Sequence, residues 1–120
     1  MSLFNFIRDF TSKHHKCDTT HKMVFDHHFF ELKYYLHKEA SIEDFAILLN
    51  IGNQKLAEIS NNYYNVSFQM LINENRYKHF LQELESPLNA NLTIESIVKL
   101  CGYENNDRFV EYVNEKIKKG

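Results

Sequence analysis

The chain has 120 residues, of which 43% are hydrophobic and 25% charged, a composition that supports one folded domain and excludes an intrinsically disordered chain. Three glycines and one proline are too few for the many tight turns of a β-sandwich or β-barrel, so we expect helices. The net charge of -2 lacks the basic excess with which proteins usually bind phosphate backbones.

We expect a cytoplasmic protein with reduced thiols and no membrane-spanning segment. No apolar run is long enough to cross a bilayer, and the charged N-terminal segment has no small-residue cleavage site. Cys17 and Cys101 lie in unrelated contexts, which indicates no disulfide framework. His14, His15, Cys17 and His21 are close in sequence, but their spacing matches no zinc pattern, so we expect no metal or other cofactor.

Two amphipathic segments precede the centre of the chain. In the first, Leu3, Phe6, Ile7 and Phe10 recur at i, i+3, i+4 and i+7, which predicts a short helix. The polar residues 11–22 predict a loop. Residues 24–37 form a second predicted helix, because apolar side chains again follow the helical period. We expect the first helix to pack on the second, to pair two copies of the chain as a homodimer, or to be the remnant of a connection to a sensor domain.

The central segment has the pattern of a helix, a tight turn and a second helix. Ser41 is a favourable N-cap, and Asp44 follows three residues later in the place of a capping-box acid. Asn50-Ile51-Gly52-Asn53 tolerates the left-handed or capping geometry of a turn, after which the helical period resumes. Ser67 predicts the N-cap of a long helix that ends at Ser86-Pro87, since proline disfavours helical geometry in the preceding residue.

An internal repeat relates this segment to the C-terminal part of the chain. Four apolar positions recur at constant separation: Ile42, Phe45, Ala46 and Leu49 in the first copy, and Ile94, Ile97, Val98 and Cys101 in the second. Thr93 takes the place of the capping serine, and Gly102-Tyr103-Glu104-Asn105 takes the place of the turn. The sequence therefore predicts an all-α fold with two helix-turn-helix units joined by a long linker helix.

Residues 25–120 resemble the DNA-binding domain of the AraC/XylS family. The strongest similarity is in LTIESIVKLCGYENNDRFVEYVNEKIKKG. The order and spacing of the family's first unit are also similar in SIEDFAILLNIGNQKLAEI, which is followed by NVSFQMLINENR. The resemblance implies a homeodomain-like, AraC-type domain over residues 23–120, after an N-terminal helix and loop over residues 1–22. Its first lobe would span about 24–66, its linker helix about 67–85 and its second lobe about 92–120.

The resemblance also implies two recognition helices, residues 53–62 and 105–114, that enter successive major-groove segments of double-stranded DNA. The candidate DNA-binding residues are Asn53, Gln54, Lys55, Glu58, Ser60, Arg76, Asn105, Asn106, Arg108, Glu111, Lys116, Lys118 and Lys119. Amide side chains suit adenine edges, whereas Lys and Arg suit guanine or phosphate, and Ser60 suits phosphate. For Arg76 we favour a structural ion pair, and several asparagines are also good helix caps.

The charges of the two implied recognition helices differ from the family pattern. Glu58 and Glu111 stand where the family often carries arginine. A glutamate can accept a hydrogen bond from cytosine N4, but phosphates repel it. Residues 41–84 hold three basic and five acidic side chains, and residues 92–120 hold five of each.

Two functions follow from these observations. We expect a sequence-specific DNA-binding transcription regulator rather than an enzyme, because the sequence contains no catalytic constellation or phosphate loop. The alternative is a module that keeps the helix-turn-helix fold and binds a protein partner through its acidic recognition surface.

Overall fold

Six α-helices account for most of residues 16–119, the part of the chain that the computed structural model describes, with side chains described for residues 19–118. They are α1 (Lys16–Asp26, continued by a π-helical turn, His27–Glu31), α2 (Ile42–Leu49), α3 (Asn53–Tyr64), α4 (Phe68–Glu85), α5 (Ile94–Leu100) and α6 (Asn106–Lys119). No strand occurs among these residues, which confirms the predicted all-α class.

Two further sequence expectations concern the membrane and the N-terminus. None of the described helices is both long and apolar enough to cross a membrane. The predicted helix of residues 3–10, with its expected role in packing or dimerisation, lies outside the described residues.

α1 begins inside the segment that we predicted to be a loop, so that prediction is wrong for residues 16–22. The Lys22 ammonium group pairs with Asp26 one turn later at 2.6 Å and lies 5.1 Å from the ring centroid of Tyr63 on α3. The segment contains no glycine or proline to interrupt a helix. Its polar composition therefore reflects a solvated helix rather than a loop.

The helix predicted over residues 24–37 is interrupted after Glu31. Lys33 adopts left-handed backbone geometry with a φ of 55°, and a short 3-10 turn, Tyr34–Leu36, follows it. The interruption brings the rings of Tyr34 and Tyr35 into the core, whereas Leu32, which we expected in the apolar stripe, is 56% exposed. It also leaves the Tyr35 carbonyl available to accept a hydrogen bond from Arg76 of α4. Contacts with distant parts of the chain thus override the local helical period.

Aromatic rings make up much of the N-terminal core, the buried cluster to which α1, α2, α3 and the first half of α4 contribute. Phe25, Phe29 and Phe45 are fully buried, and Phe45 stacks on Tyr34 with ring centroids 4.3 Å apart. Phe68 of α4 also packs on Phe45, at 5.4 Å. Aromatic pairs of this kind contribute about 0.5–1.5 kcal/mol each beyond area burial, so they fix α4 firmly to this core.

The predicted N-caps are confirmed, and at α2 a tyrosine completes the cap. Ser41 Oγ accepts a hydrogen bond from the Asp44 amide at 3.0 Å, and Ser67 and Thr93 cap α4 and α5 in the same way. The Ser41 amide donates to the Tyr34 hydroxyl at 3.0 Å, and that hydroxyl lies 2.8 Å from Asp44 Oδ2. Burial raises the pKa of Tyr34, so its hydroxyl remains protonated at neutral pH.

The second half of α4, α5 and α6 contribute to a second buried cluster, the C-terminal core. This core contains buried apolar positions of the second copy of the repeat. Ile97, Val98 and Cys101 are buried as predicted, whereas Ile94 is 57% exposed and does not belong to the core. Phe80 of α4 packs on Phe109 of α6 with ring centroids 4.6 Å apart. Each copy of the repeat thus forms two helices joined by a short turn, and α4 contributes to both cores.

Candidate nucleic-acid interface

α3 has a buried side and an exposed polar side. Leu56 and Ile59 are almost completely buried, while Gln54 and Asn61 are exposed and the Glu58 side chain is 45% exposed. Positions 54, 58 and 61 are separated by four and three residues, a spacing that places them along one face of a helix. This outward face, with the exposed Asn53 at the start of the helix, is the surface available to a partner.

The one basic residue of α3 is paired within the helix. Lys55 Nζ lies 3.2 Å from Glu58 Oε2, and the two side chains are 31% and 45% exposed. A half-exposed ion pair of this kind contributes little to stability. It does, however, place a carboxylate beside the only cation that α3 offers to a phosphate.

Ser60, which we predicted to contact phosphate, does not reach the surface. Ser60 is 0% exposed, and its hydroxyl has no hydrogen-bond partner among the described residues. It lies beside Ile59 on the buried side of α3. Ser60 is therefore a core residue, and this part of the predicted site is wrong.

The start of α6 combines capping with exposed charge. Asn105 Oδ1 accepts hydrogen bonds from the amides of Asp107 at 3.0 Å and Arg108 at 3.3 Å, so Asn105 caps the helix. The side-chain oxygen of Asn106 is buried without a hydrogen-bond partner among the described residues. Arg108 is exposed. Of the predicted residues at this end of α6, Arg108 is thus the one best placed to meet a partner.

The outward face of α6 matches that of α3. Asp107, Glu111 and Asn114 are exposed and have the same spacing as the three outward residues of α3, on the side of the helix away from the buried Phe109. The two faces correspond position by position, each with a glutamate at its centre. The internal repeat therefore gives two polar faces at equivalent positions, and the acidic Asp107 of α6 takes the place of the neutral Gln54 of α3.

Three residues of these faces were absent from the predicted site. Asn61, Asp107 and Asn114 lie on the outward faces, whereas most of the predicted residues of α3 and α6 lie near the start of each helix. The signal was present in the sequence, because polar side chains at i, i+4 and i+7 share a helix face with the glutamates we had identified.

The C-terminal lysines lie in different surroundings. Lys116 Nζ lies 5.4 Å from the ring centroid of Tyr77 on α4 and 5.8 Å from that of Tyr112, which are cation–π distances. Lys118 is exposed near the end of α6, and the side chain of Lys119 lies outside the described side chains. Lys118 is therefore the more available cation for a phosphate, while Lys116 also helps to join α6 to α4.

Arg76 has a structural position between the two cores. It is 7% exposed, and it donates from Nε to the Tyr35 carbonyl and from Nη2 to the His37 carbonyl, both at 2.7 Å. Its guanidinium carbon lies 5.2 Å from the ring centroid of Tyr103. The structural role that we favoured is confirmed, but the predicted ion pair is wrong, since the acceptors are backbone carbonyls.

The remaining chemistry-bearing residues are histidines and cysteines. Within the described part of the chain, no group of three His, Cys, Asp or Glu residues is arranged to hold a metal ion. His14 and His15 lie outside that part. Cys101 is buried, and burial raises the pKa of its thiol to about 12, so the thiol is protonated at neutral pH.

Comparisons of the chain with family models, with curated proteins and with solved structures found no match.

Proposed function

We propose that this chain is a sequence-specific DNA-binding regulator of the AraC type, with α3 and α6 as its two recognition helices. The observation that carries the proposal is the pair of matching exposed polar faces, each on the second helix of one copy of the repeat. Helices that follow a tight turn and present such a face are the elements with which helix-turn-helix proteins enter the major groove.

The side chains of these faces suit base edges better than phosphates. The amides of Gln54, Asn61 and Asn114 can pair with adenine, and Glu58 and Glu111 can accept from cytosine N4. Arg108 suits guanine, and Lys118 suits a phosphate. Few phosphate contacts imply modest affinity, with a logarithmic salt dependence of about -0.9 for each phosphate neutralised.

Selection from random duplexes at low salt tests this proposal directly. We expect enrichment of a motif with two half-sites about one helical turn apart, and weaker binding as salt rises. A salt titration on the enriched duplex then gives the number of phosphates neutralised. If no motif is enriched at low salt, DNA is not the partner.

Charge reversal at the centre of each face tests the recognition helices themselves. Glu58→Arg with Glu111→Arg raises the net charge of each face by two units. We expect about tenfold tighter duplex binding at low salt. Glu43→Arg with Glu95→Arg is the matched control, because these exposed residues occupy equivalent repeat positions on α2 and α5. Equal effects of the two double variants would show that binding depends on net charge, not on α3 and α6.

The acidity of the same faces favours a protein partner as the second candidate function. The outward face of α3 carries one carboxylate, Glu58, which is paired with Lys55, and the outward face of α6 carries two, Asp107 and Glu111. A basic protein surface suits such faces better than a polyanion does. In this case the charge-reversal variant loses a co-purifying basic protein, while the Glu43 and Glu95 control retains it.

A further inference from the structure

The turn between α5 and α6 lies directly against the backbone that follows α1. A Cβ atom at Gly102 of this turn would lie 3.0 Å from the carbonyl oxygens of both Leu36 and Tyr35. Gly102 follows α5 in the second copy of the repeat, whereas Leu36 and Tyr35 pack in the N-terminal core. The two halves of the molecule therefore touch at a point outside α4. We call this contact, together with the side chains of Arg76 and Tyr103, the joint.

Arg76 of α4 bonds to one side of the joint and packs on the other. Its Nε and Nη2 atoms donate to the carbonyls of Tyr35 and His37, both at 2.7 Å. Its guanidinium carbon lies 5.2 Å from the ring centroid of Tyr103, a cation–π distance. A guanidinium group is planar and its donors have a fixed geometry, so the two hydrogen bonds determine the orientation of the group that lies over the ring. Arg76 therefore relates the turn of the second copy to the backbone that follows α1.

An open groove lies beside the joint, between α4 and α6. It measures about 960 Å³, and its lining includes Met70 on the first half of α4, Tyr112 on α6, and Arg76. Further along α4, Tyr77 packs on Tyr112 with ring centroids 5.9 Å apart. Thus α6 packs on the second half of α4 and leaves space beside the first half. This space would let α6 change its angle to the first half of α4 if the joint were loosened.

The joint lies between the two outward faces. Because α3 contributes to the N-terminal core and α6 to the C-terminal core, the two faces keep their relative orientation only if the two halves of the molecule do. In a DNA duplex, one base pair changes the separation of two half-sites by about 3.4 Å and their relative rotation by about 35°. A protein whose faces have a single relative orientation therefore accepts a single spacing.

We propose that Arg76 is a positioning residue that holds the outward faces of α3 and α6 in one relative orientation and so restricts the half-site spacing that the chain accepts. The restriction on spacing rests on the proposed function, whereas the fixed orientation is a property of the free protein. The two parts are tested by separate measurements.

The distance between the two outward faces tests the orientation without DNA. Gln54→Cys with Asp107→Cys places spin labels at equivalent exposed positions of the full chain, and Cys17→Ser removes another thiol, while Cys101 is buried. We expect double electron–electron resonance to give one narrow distance distribution, which broadens or shifts in Arg76→Lys. Lysine keeps the charge but has no planar group that can donate to both carbonyls. An unchanged distribution in folded Arg76→Lys would overturn the proposal.

Two variants of Tyr103 test the other side of the joint. The Tyr103 hydroxyl has no hydrogen-bond partner among the described residues, so Tyr103→Phe removes no bond and should leave the distribution narrow. Tyr103→Leu removes the ring beneath the guanidinium group and should broaden it, as Arg76→Lys does. Ile72→Val controls for lost stability, because Ile72 of α4 is buried in the N-terminal core. Equal broadening in Ile72→Val would contradict the role of the joint, since any destabilised variant would then behave alike.

Duplexes with altered spacing test the restriction on DNA. On the motif enriched by selection, we expect one inserted base pair between the half-sites to weaken binding of the unchanged protein about tenfold and that of Arg76→Lys about threefold or less. A purely structural defect would weaken binding equally at both spacings, and that result would overturn the proposal.

The remaining outcomes separate this inference from the proposed function. If the unchanged protein enriches a motif but tolerates the inserted base pair, the proposed function stands and the restriction on spacing is wrong. If no motif is enriched, the proposed function and the restriction on spacing both fail, while the spin-label distances still decide whether Arg76 fixes the orientation of the two faces.

Discussion

Gly102 lies in a closely packed backbone position, and replacing it by alanine tests how the two cores are joined. Its φ is 97°, in the region that L side chains rarely adopt. A Cβ atom added there would lie 2.9 Å from Arg76 Nε and 3.0 Å from the carbonyl oxygens of Leu36 and Tyr35. The turn between α5 and α6 therefore lies directly against the backbone that follows α1.

Two costs combine in Gly102→Ala. An L residue at such a φ costs about 1–3 kcal/mol. The neighbouring atoms have little freedom to move, because Arg76 Nε is hydrogen-bonded to the Tyr35 carbonyl at 2.7 Å. Weakening that charge-assisted bond costs up to about 1.5–3 kcal/mol. We expect the free energy of unfolding to fall by about 3–5 kcal/mol, a large part of the stability of a domain of this size.

Urea unfolding followed by circular dichroism measures this loss as a shift of the transition midpoint. Gly52→Ala is the matched control: Gly52 has a φ of -64°, and a Cβ atom there would have no neighbour within 4 Å. We expect that variant to change the free energy of unfolding by less than about 1 kcal/mol. If the two variants are equally stable, the close approach of Gly102 to Arg76 is not a feature of the folded protein.

Three further substitutions test individual residues. Ser60→Ala removes a buried hydroxyl without a partner, so chemical denaturation should show unchanged or higher stability; a loss above about 1 kcal/mol would mean that the hydroxyl is bonded. Arg76→Met leaves two carbonyls unpaired and should cost about 2–4 kcal/mol by the same measurement, whereas a neutral effect would contradict its structural role. His79 has a pKa that burial lowers below 6.5, despite Glu83 at 3.4 Å, so the unfolded chain takes up the proton more readily. The stability that His79 contributes is therefore present above pH 6.5 and lost as pH falls through the folded pKa. His79→Gln should make the free energy of unfolding less dependent on pH on the acid side. An unchanged dependence on pH would refute this.

Much of the fold could be predicted from the sequence because its signals are local. Ser41, Ser67 and Thr93 cap helices within a few residues of themselves, and Pro87 ends α4 by its own geometry. The repeat predicted the buried positions of α5 and its C-terminal end correctly, with the exception of Ile94, which is exposed. The glutamates at the centre of the outward faces were also identified from the sequence, since they stand where the AraC/XylS family, which the chain resembles, often carries arginine.

The features that the sequence left undetermined depend on groups far apart in the chain. Lys33 takes left-handed geometry, and the chain after it buries Tyr34 and Tyr35 against residues of α2 and α4. Arg76 bonds to carbonyls about forty residues away. Local propensity therefore determined where α2, α4 and α5 begin and where α4 ends, whereas long-range packing interrupted the helix after Glu31 and buried Arg76 between the two cores.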